Sequence, residues 1–186
     1  MNRQFLAVAL FAAIFAALFA VAPLRADQNA PQLDGLFAQL QTGLNAAAAV
    51  EVTRAIWDAW LQHDERGVNQ QMDAGLRAMR DRLWRDALVC FDAAVALAPD
   101  FAEAWNKRAT VYYMLGDFDA SSADVAETLR LEPRHFGALV GQGMMHMQSR
   151  EDALALVYFR RALAVNPHMD NVRGYVERLA RGEKPI

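Results

Sequence analysis

Four histidines, one cysteine and a run of methionines are the side chains of this 186-residue chain best suited to chemistry, and their spacing decides what they can do. His63, His135, His146 and His168 include no pair four residues apart with an acid between them, the pattern that sets two imidazoles on one helix face around a metal. No serine lies in a Gly-x-Ser-x-Gly turn, so there is no nucleophile elbow. Gly137, Gly141 and Gly143 fall inside a predicted helix and not in a phosphate-cradling loop, and small residues there serve close packing. Cys90 is the sole cysteine, which excludes a disulfide within the chain. With no resolving partner it reads as a buried, inert thiol. No catalytic constellation emerges, so no enzyme activity and no cofactor are implied.

Met144, Met145, His146 and Met147 form the one cluster with a specific chemical alternative. Thioethers beside an imidazole suit Cu(I), which makes a soft-metal binding or chaperone protein the second reading of this chain. Helical geometry weighs against it: Met144 and Met147 share a face, while Met145 and His146 point elsewhere. Packing, or a pliable apolar surface, accounts for the methionines better.

The elements that must carry these residues begin after a distinctive start. Arg3 precedes an apolar run, Phe5 to Ala22, that contains no charged residue, and Pro23 to Ala26 leads into the polar Asp27. That order is a secretory signal peptide, read as residues 1–26. Together with 36 alanines among 186 residues it points to export into the periplasm of a Gram-negative bacterium. Left uncleaved, residues 5–22 are just long enough to anchor the chain in the inner membrane, facing the periplasm, and a membrane contact is expected only in that case. Without residues 1–26 the chain keeps 17 basic against 22 acidic side chains, a net charge of −5. A weakly acidic body is a poor partner for phosphate backbones, so no nucleic acid is expected.

Pro99, Pro133 and Pro167 are spaced by 34 and 34 residues. Before each lies an amphipathic helical pattern, in ALVCFDAAVALAP, SADVAETLRLEP and ALALVYFRRALAVNP, which proline then ends. Upstream in each unit a second helix is predicted, at about 69–79, 102–115 and 136–148. The unit is helix, turn, helix, proline.

In this the chain resembles the tetratricopeptide repeat (TPR) family, whose unit is a 34-residue helical hairpin. Units are placed at 68–101, 102–135 and 136–169. The family's pattern of a large residue at the fourth place, aromatics at the eleventh and twenty-fourth, small ones at the eighth, twentieth and twenty-seventh and proline at the thirty-second is met by Gly75, Ala87, Phe91, Ala94 and Pro99 in the first. Trp105, Ala109, Tyr112, Ser121 and Pro133 meet it in the second, and Leu139, Gly143, Ala155, Phe159, Ala162 and Pro167 in the third. Gln71, Ala78, Val125, Thr128 and His146 depart from it. The resemblance implies an all-α fold, an α-α superhelix of stacked hairpins forming a right-handed solenoid.

Residues 27–67 are helical in pattern but out of register with the repeat. Helices are predicted at 33–40 and 46–61, with Asn45 as N-cap and Ile56, Trp57, Trp60 and Leu61 as an apolar face, and this hairpin is expected to cap the first unit. Residues 170–186 supply a C-terminal capping helix, 170–180, and a tail.

The resemblance also implies a function: a non-catalytic adaptor that binds a protein or peptide partner in the concave groove lined by the first helices. The family's groove places hold Asn69, Met72, Asp73, Leu76, Met79 and Arg80, then Glu103, Asn106, Lys107, Thr110, Tyr113 and Met114, then Gly137, Val140, Gly141, Met144, Met147 and Gln148. Five of the eight methionines fall there, which suits a surface accepting varied apolar side chains. The family's clamp for a peptide's C-terminal carboxylate is absent, since its places read Met72, Leu76, Lys107, Gly137 and Gly141. Two arrangements stay open: a groove free for a partner, or one filled by the N-terminal hairpin or the C-terminal helix.

Overall fold

A computed structural model describes residues 31–182. The proposed leader, residues 1–26, and the tail after Gly182 lie outside the described residues. Among those described there are nine helices and no strand: α1 (Pro31–Leu40), α2 (Ala46–Trp60), α3 (Arg66–Arg80), α4 (Trp84–Leu97), α5 (Ala102–Leu115), α6 (Phe118–Leu131), α7 (Phe136–Gln148), α8 (Asp152–Val165) and α9 (Asp170–Ala180).

Local chemistry sets the ends. Asn45 accepts from the Ala48 N–H at 2.9 Å to start α2, and Asp117 accepts from the Ala120 N–H at 3.1 Å to start α6. Gly116, at φ 83°, closes α5 in the left-handed conformation that glycine adopts without strain. The same turn in the flanking hairpins is made by Arg82 and Arg150, at φ 59° and 61°.

Helices pair as α3/α4, α5/α6 and α7/α8, and a volume match sets each approach. At Gly75 a Cβ would stand 2.6 Å from the Phe91 ring, and at Gly143 it would stand 2.6 Å from the Phe159 ring. In the middle hairpin the pair is Ala109 and Val125, both buried in one cluster. A larger small residue thus faces a smaller large one, which explains the departure at Val125. Thr128, the other departure there, is fully buried with its hydroxyl donating to the Asp124 carbonyl at 2.9 Å.

One charged clip joins the first two hairpins. Arg108 donates to both oxygens of buried Asp124, at 2.7 and 2.8 Å, and to Asp92 on α4 at 2.8 Å, with its guanidinium over the Trp105 ring. Paired forks of this kind are the strongest ion-pair geometry. At the other end of the stack, α9 closes the third hairpin by burying Val172 and Leu179 against Ala155 and Phe159, with Tyr175 stacked on Phe159.

The sequence leaves two places for the N-terminal hairpin, as a cap on the first hairpin or in the groove, and the structure lays α2 lengthwise along the junctions between hairpins instead of over the end of the stack. Residues of the first turn of α2, Ala46, Ala49 and Val50, border a depression with His168 and Asp170. Thr53 accepts from Asn166 at 3.1 Å, Trp57 and Trp60 pack on His135 and Phe136, and beyond the helix His63 packs on Phe101. Phe101, His135 and Met169, the residues just before α5, α7 and α9, all meet this strap or its extension. α1 braces it from outside, through Asp34 to Arg134 at 2.6 Å and Gln41 to the Val165 carbonyl at 2.9 Å.

The first hairpin can do without a cap because its outer side is already polar. Where α5 carries Ala104, Trp105 and Val111 against α4, the corresponding places of α3 hold Gln70, Gln71 and Arg77. Gln70 and Arg77 are exposed. On α3 these polar groups stay hydrated at the end of the stack, while on α4 Val89 and Leu97 remain exposed.

Candidate peptide-binding groove

The inner surface is built from α3, α5 and α7, and the strap divides it. Trp57 reaches over the first turn of α7, where a Cβ at position 137 would stand 2.5 Å from its ring, so only glycine fits. Trp60, fully buried, stacks on the His135 ring at 4.1 Å and 10°. The His135 Nδ1 accepts from the Ala138 N–H at 3.1 Å, which leaves Nε2 as the protonated nitrogen that donates to Glu103 at 2.8 Å. Lys107 stands 2.9 Å from the other Glu103 oxygen and 5.0 Å from the Trp57 ring centroid. Asn106 donates to Glu103 at 2.8 Å. Burial by itself pushes the Glu103 carboxyl up, but the Lys107 charge and the His135 hydrogen bond outweigh it and hold it at about 2.

Several residues expected in the groove are therefore not available to a partner. Glu103 and Asn106 are buried in this network, and Lys107 is tied to it. Met72 is 1% exposed and belongs to the core between α3 and α4, because α3 turns that face inward. Asn69 is spent on the loop before α3, accepting from the His63 N–H at 2.9 Å. Leu76 and Met79 are half-buried against the same core. Val140 and Met147 are half-buried beside α8 and α9, and Met144, half-buried with them, still reaches a cavity between α5 and α7.

What remains open is the far half of the groove. Asp73 and Arg80 are exposed on α3, as are Thr110 and Met114 on α5, and Tyr113 is half-buried with its ring against Phe118. Between α5, α6 and α7 lies a cavity of about 150 Å³ lined by Asn106, Ala109, Thr110, Tyr113, Ser121, Val125, Gly137, Ala138, Gly141 and Met144. No lining residue carries a charge.

The copper alternative fails on geometry. Met145 is buried with Ala109 and Val125, Met147 packs with Leu156 and Val172 near α9, and Met144 lines the cavity. His146 is held by Glu151 at 2.7 Å and stacks on Tyr158. Met144 and Met147 keep one face and Met145 and His146 lie elsewhere, so the four do not converge on one point. Among the described residues no three His, Cys, Asp or Glu are grouped to hold a metal either.

The role of Trp57, Trp60 and His135 was not legible in sequence. A signal for it existed, since an α2 face with two tryptophans three residues apart needs a seat, and Gly137 leaves one at a groove place.

The tetratricopeptide repeat family model matches residues 72–121 and 107–170, together more than half of the chain. The chain belongs to the TPR family. It is 34% identical over 149 residues to a TPR repeat-containing protein of Rhizobium etli, covering 80% of this chain and 73% of that one. Among solved structures, the TPR domain of Arabidopsis OM64 superposes with a TM-score of 0.60 at 19% identity, covering 62% of this chain and 96% of that one. The first TPR domain of Spaghetti, bound to an HSP90 peptide, does so with a TM-score of 0.61 at 15% identity, covering 64% of this chain and 94% of that one. At such identities the likeness speaks for the fold, an all-α TPR superhelix. As for membranes, no helix among the described residues is long and apolar enough to cross one.

Proposed function

We propose that this TPR protein is a non-catalytic adaptor of the bacterial periplasm that holds a segment of another protein in the open half of its groove. The supporting observation is the uncharged cavity between α5 and α7, bordered by Thr110, Tyr113 and Met144, with Met114 48% exposed beside it. Export is proposed from the charge-free run Phe5 to Ala22 that follows Arg3. Recognition of a C-terminal carboxylate, as by the family's clamp, is not part of the proposal: the clamp places Gly137 and Gly141 carry no side chain, and Trp57 lies over the first of them.

Tyr113→Asp with Met114→Asp tests this. Met114 is exposed and Tyr113 half-buried against Phe118, so folding is checked by circular dichroism, with Met114→Asp alone as the milder variant. Partner capture from a periplasmic extract, identified by mass spectrometry, should drop at least ten-fold in the folded double variant. Undiminished capture by the folded variant refutes the groove.

A further inference from the structure

We propose that two copies of this chain pair through the turns of their first two hairpins, the α3–α4 turn of one lying against the α5–α6 turn of the other and the reverse. The pairing does not depend on what the groove binds.

This edge of the stack is apolar where a surface turn is ordinarily polar. Leu83 is 52% exposed in the turn before α4, and Leu115 and Phe118, on either side of the α5–α6 turn, are 41% and 37% exposed. A hollow of about 310 Å³ joins the two turns, lined by Arg82, Leu83, Trp84, Arg85, Asp86 and Leu115. Leu83 and Leu115 therefore share one surface, and Phe118, its ring against Tyr113, extends it. The N-terminal hairpin does not cover it, since α1 and α2 lie against the loops before α5, α7 and α9, at the opposite edge. Adjacent exposed apolar side chains rimmed by charge mark an interface.

Charge decides the occupant. Residues 77–86 of the first hairpin carry Arg77, Arg80, Arg82 and Arg85 against Asp81 and Asp86, a net +2. The equivalent residues of the second hairpin, 111–120, carry Asp117 and Asp119 and no basic side chain, a net −2. All of these groups are exposed. Among the described residues none of the four arginines, nor Asp119, has an ion-pair partner, so the two turns stand side by side without neutralising each other. A two-fold axis passing near Leu115 sets +2 against −2 twice and turns Leu83 of one copy toward Phe118 of the other. A patch complementary to itself is what an isologous dimer requires. The third hairpin lacks the pattern, with Arg150 beside Glu151 and Asp152. Because Tyr113 and Met114 end α5 at this same edge, pairing sets the open halves of two grooves side by side.

Sedimentation equilibrium of the protein recovered from cells should show a reversible monomer–dimer equilibrium. Arg82→Glu with Arg85→Glu should weaken it at least ten-fold. So should Asp117→Asn with Asp119→Arg, in which asparagine keeps the acceptor that caps α6. Mixed in equal amounts, the two variants regain both contacts of the two-fold, and the mixture should pair at least ten-fold more tightly than either alone. Val157→Glu, at an exposed position on α8, should leave pairing unchanged. Circular dichroism checks that each variant is folded. Leu83→Ser with Leu115→Ser, which adds no charge, serves where a charge variant does not fold, and it too should weaken pairing at least ten-fold. A parent chain monomeric at millimolar concentration overturns the proposal, as does a mixture of folded variants that pairs no better than its components, or pairing lost with Val157→Glu. A monomer that binds phosphatidylglycerol vesicles, and loses them with Arg82→Glu and Arg85→Glu, assigns the edge to a lipid surface and overturns the second copy.

Discussion

Two glycines one turn apart on α7 offer a direct measurement of what Trp57 does. Gly137→Ala and Gly141→Ala make the same chemical change in the same helix, each gaining about 1 kcal/mol of helix propensity. They differ in their surroundings. The new methyl at 141 meets nothing within 4 Å, so that variant should be more stable by about 1 kcal/mol. The new methyl at 137 would stand 2.5 and 3.0 Å from two Trp57 ring atoms and 3.3 Å from His135 Cε1. Relieving such overlap requires the indole to leave its seat, and overpacking of this kind costs about 1–3 kcal/mol. The net effect at 137 is a loss of about 0–2 kcal/mol. The two variants should therefore differ by about 1–3 kcal/mol in urea unfolding, or several degrees in melting temperature at about 2–4 °C per kcal/mol for a chain of this size. In a Trp57→Ala background the 2.5 and 3.0 Å contacts are gone, and the gap between the two alanine variants should shrink. Gly137→Ala as stabilising as Gly141→Ala with Trp57 present refutes the placement of α2 over α7.

Two further perturbations probe the charged clusters. Glu103, held at about 2 against an ordinary 4.5, binds fewer protons folded than unfolded. Its stabilisation is full above about pH 4.5 and is lost as pH falls toward about 2, a contribution on the order of 3 kcal/mol. Glu103→Gln should flatten the urea midpoint against pH across that window, and an unchanged slope refutes the depressed carboxyl. In the Arg108 clip, Asp124→Ala removes a buried bidentate partner and should destabilise by about 2–3 kcal/mol. Asp92, 49% exposed, should cost less than about 1 kcal/mol when changed to alanine, and equal losses in unfolding experiments refute the asymmetry.

How far the fold could be read in the sequence depends on the range of the interaction concerned. The bounds of α5, α7 and α9 coincide with their sequence expectations, and two of the signals are local: Gly116 closes α5 and the His135 side chain caps α7. The pairing of helices was equally legible, since it rests on Gly75 against Phe91 and Gly143 against Phe159, both sixteen residues apart and repeated with the unit. Even Gln71 and Ala78 carried information. Set beside Trp105 and Tyr112, they mark α3 as the end of the stack, where large side chains have nothing to pack against.

The strap was not legible, because nothing periodic encodes it. Thr53 meets Asn166, Trp60 meets His135 and Asp34 meets Arg134, contacts separated by 113, 75 and 100 residues and made only once. The same lack of period explains the miscast groove. The family's places assume that every first helix presents its inner face to solvent, and here α2 covers the first turns of α5 and α7. Glu103 and Lys107 lie on the inner face in register, yet they pair with each other, and His135 and Trp57 cover the pair. In the open half the cavity keeps the uncharged residues, Thr110, Tyr113, Gly141 and Met144, with exposed Asp73 and Arg80 on α3 outside it. A segment bound there is selected by shape and apolar area, with little help from ion pairs, and its affinity should vary only weakly with salt. A binding constant that falls steeply with ionic strength is the result that contradicts this division of the groove.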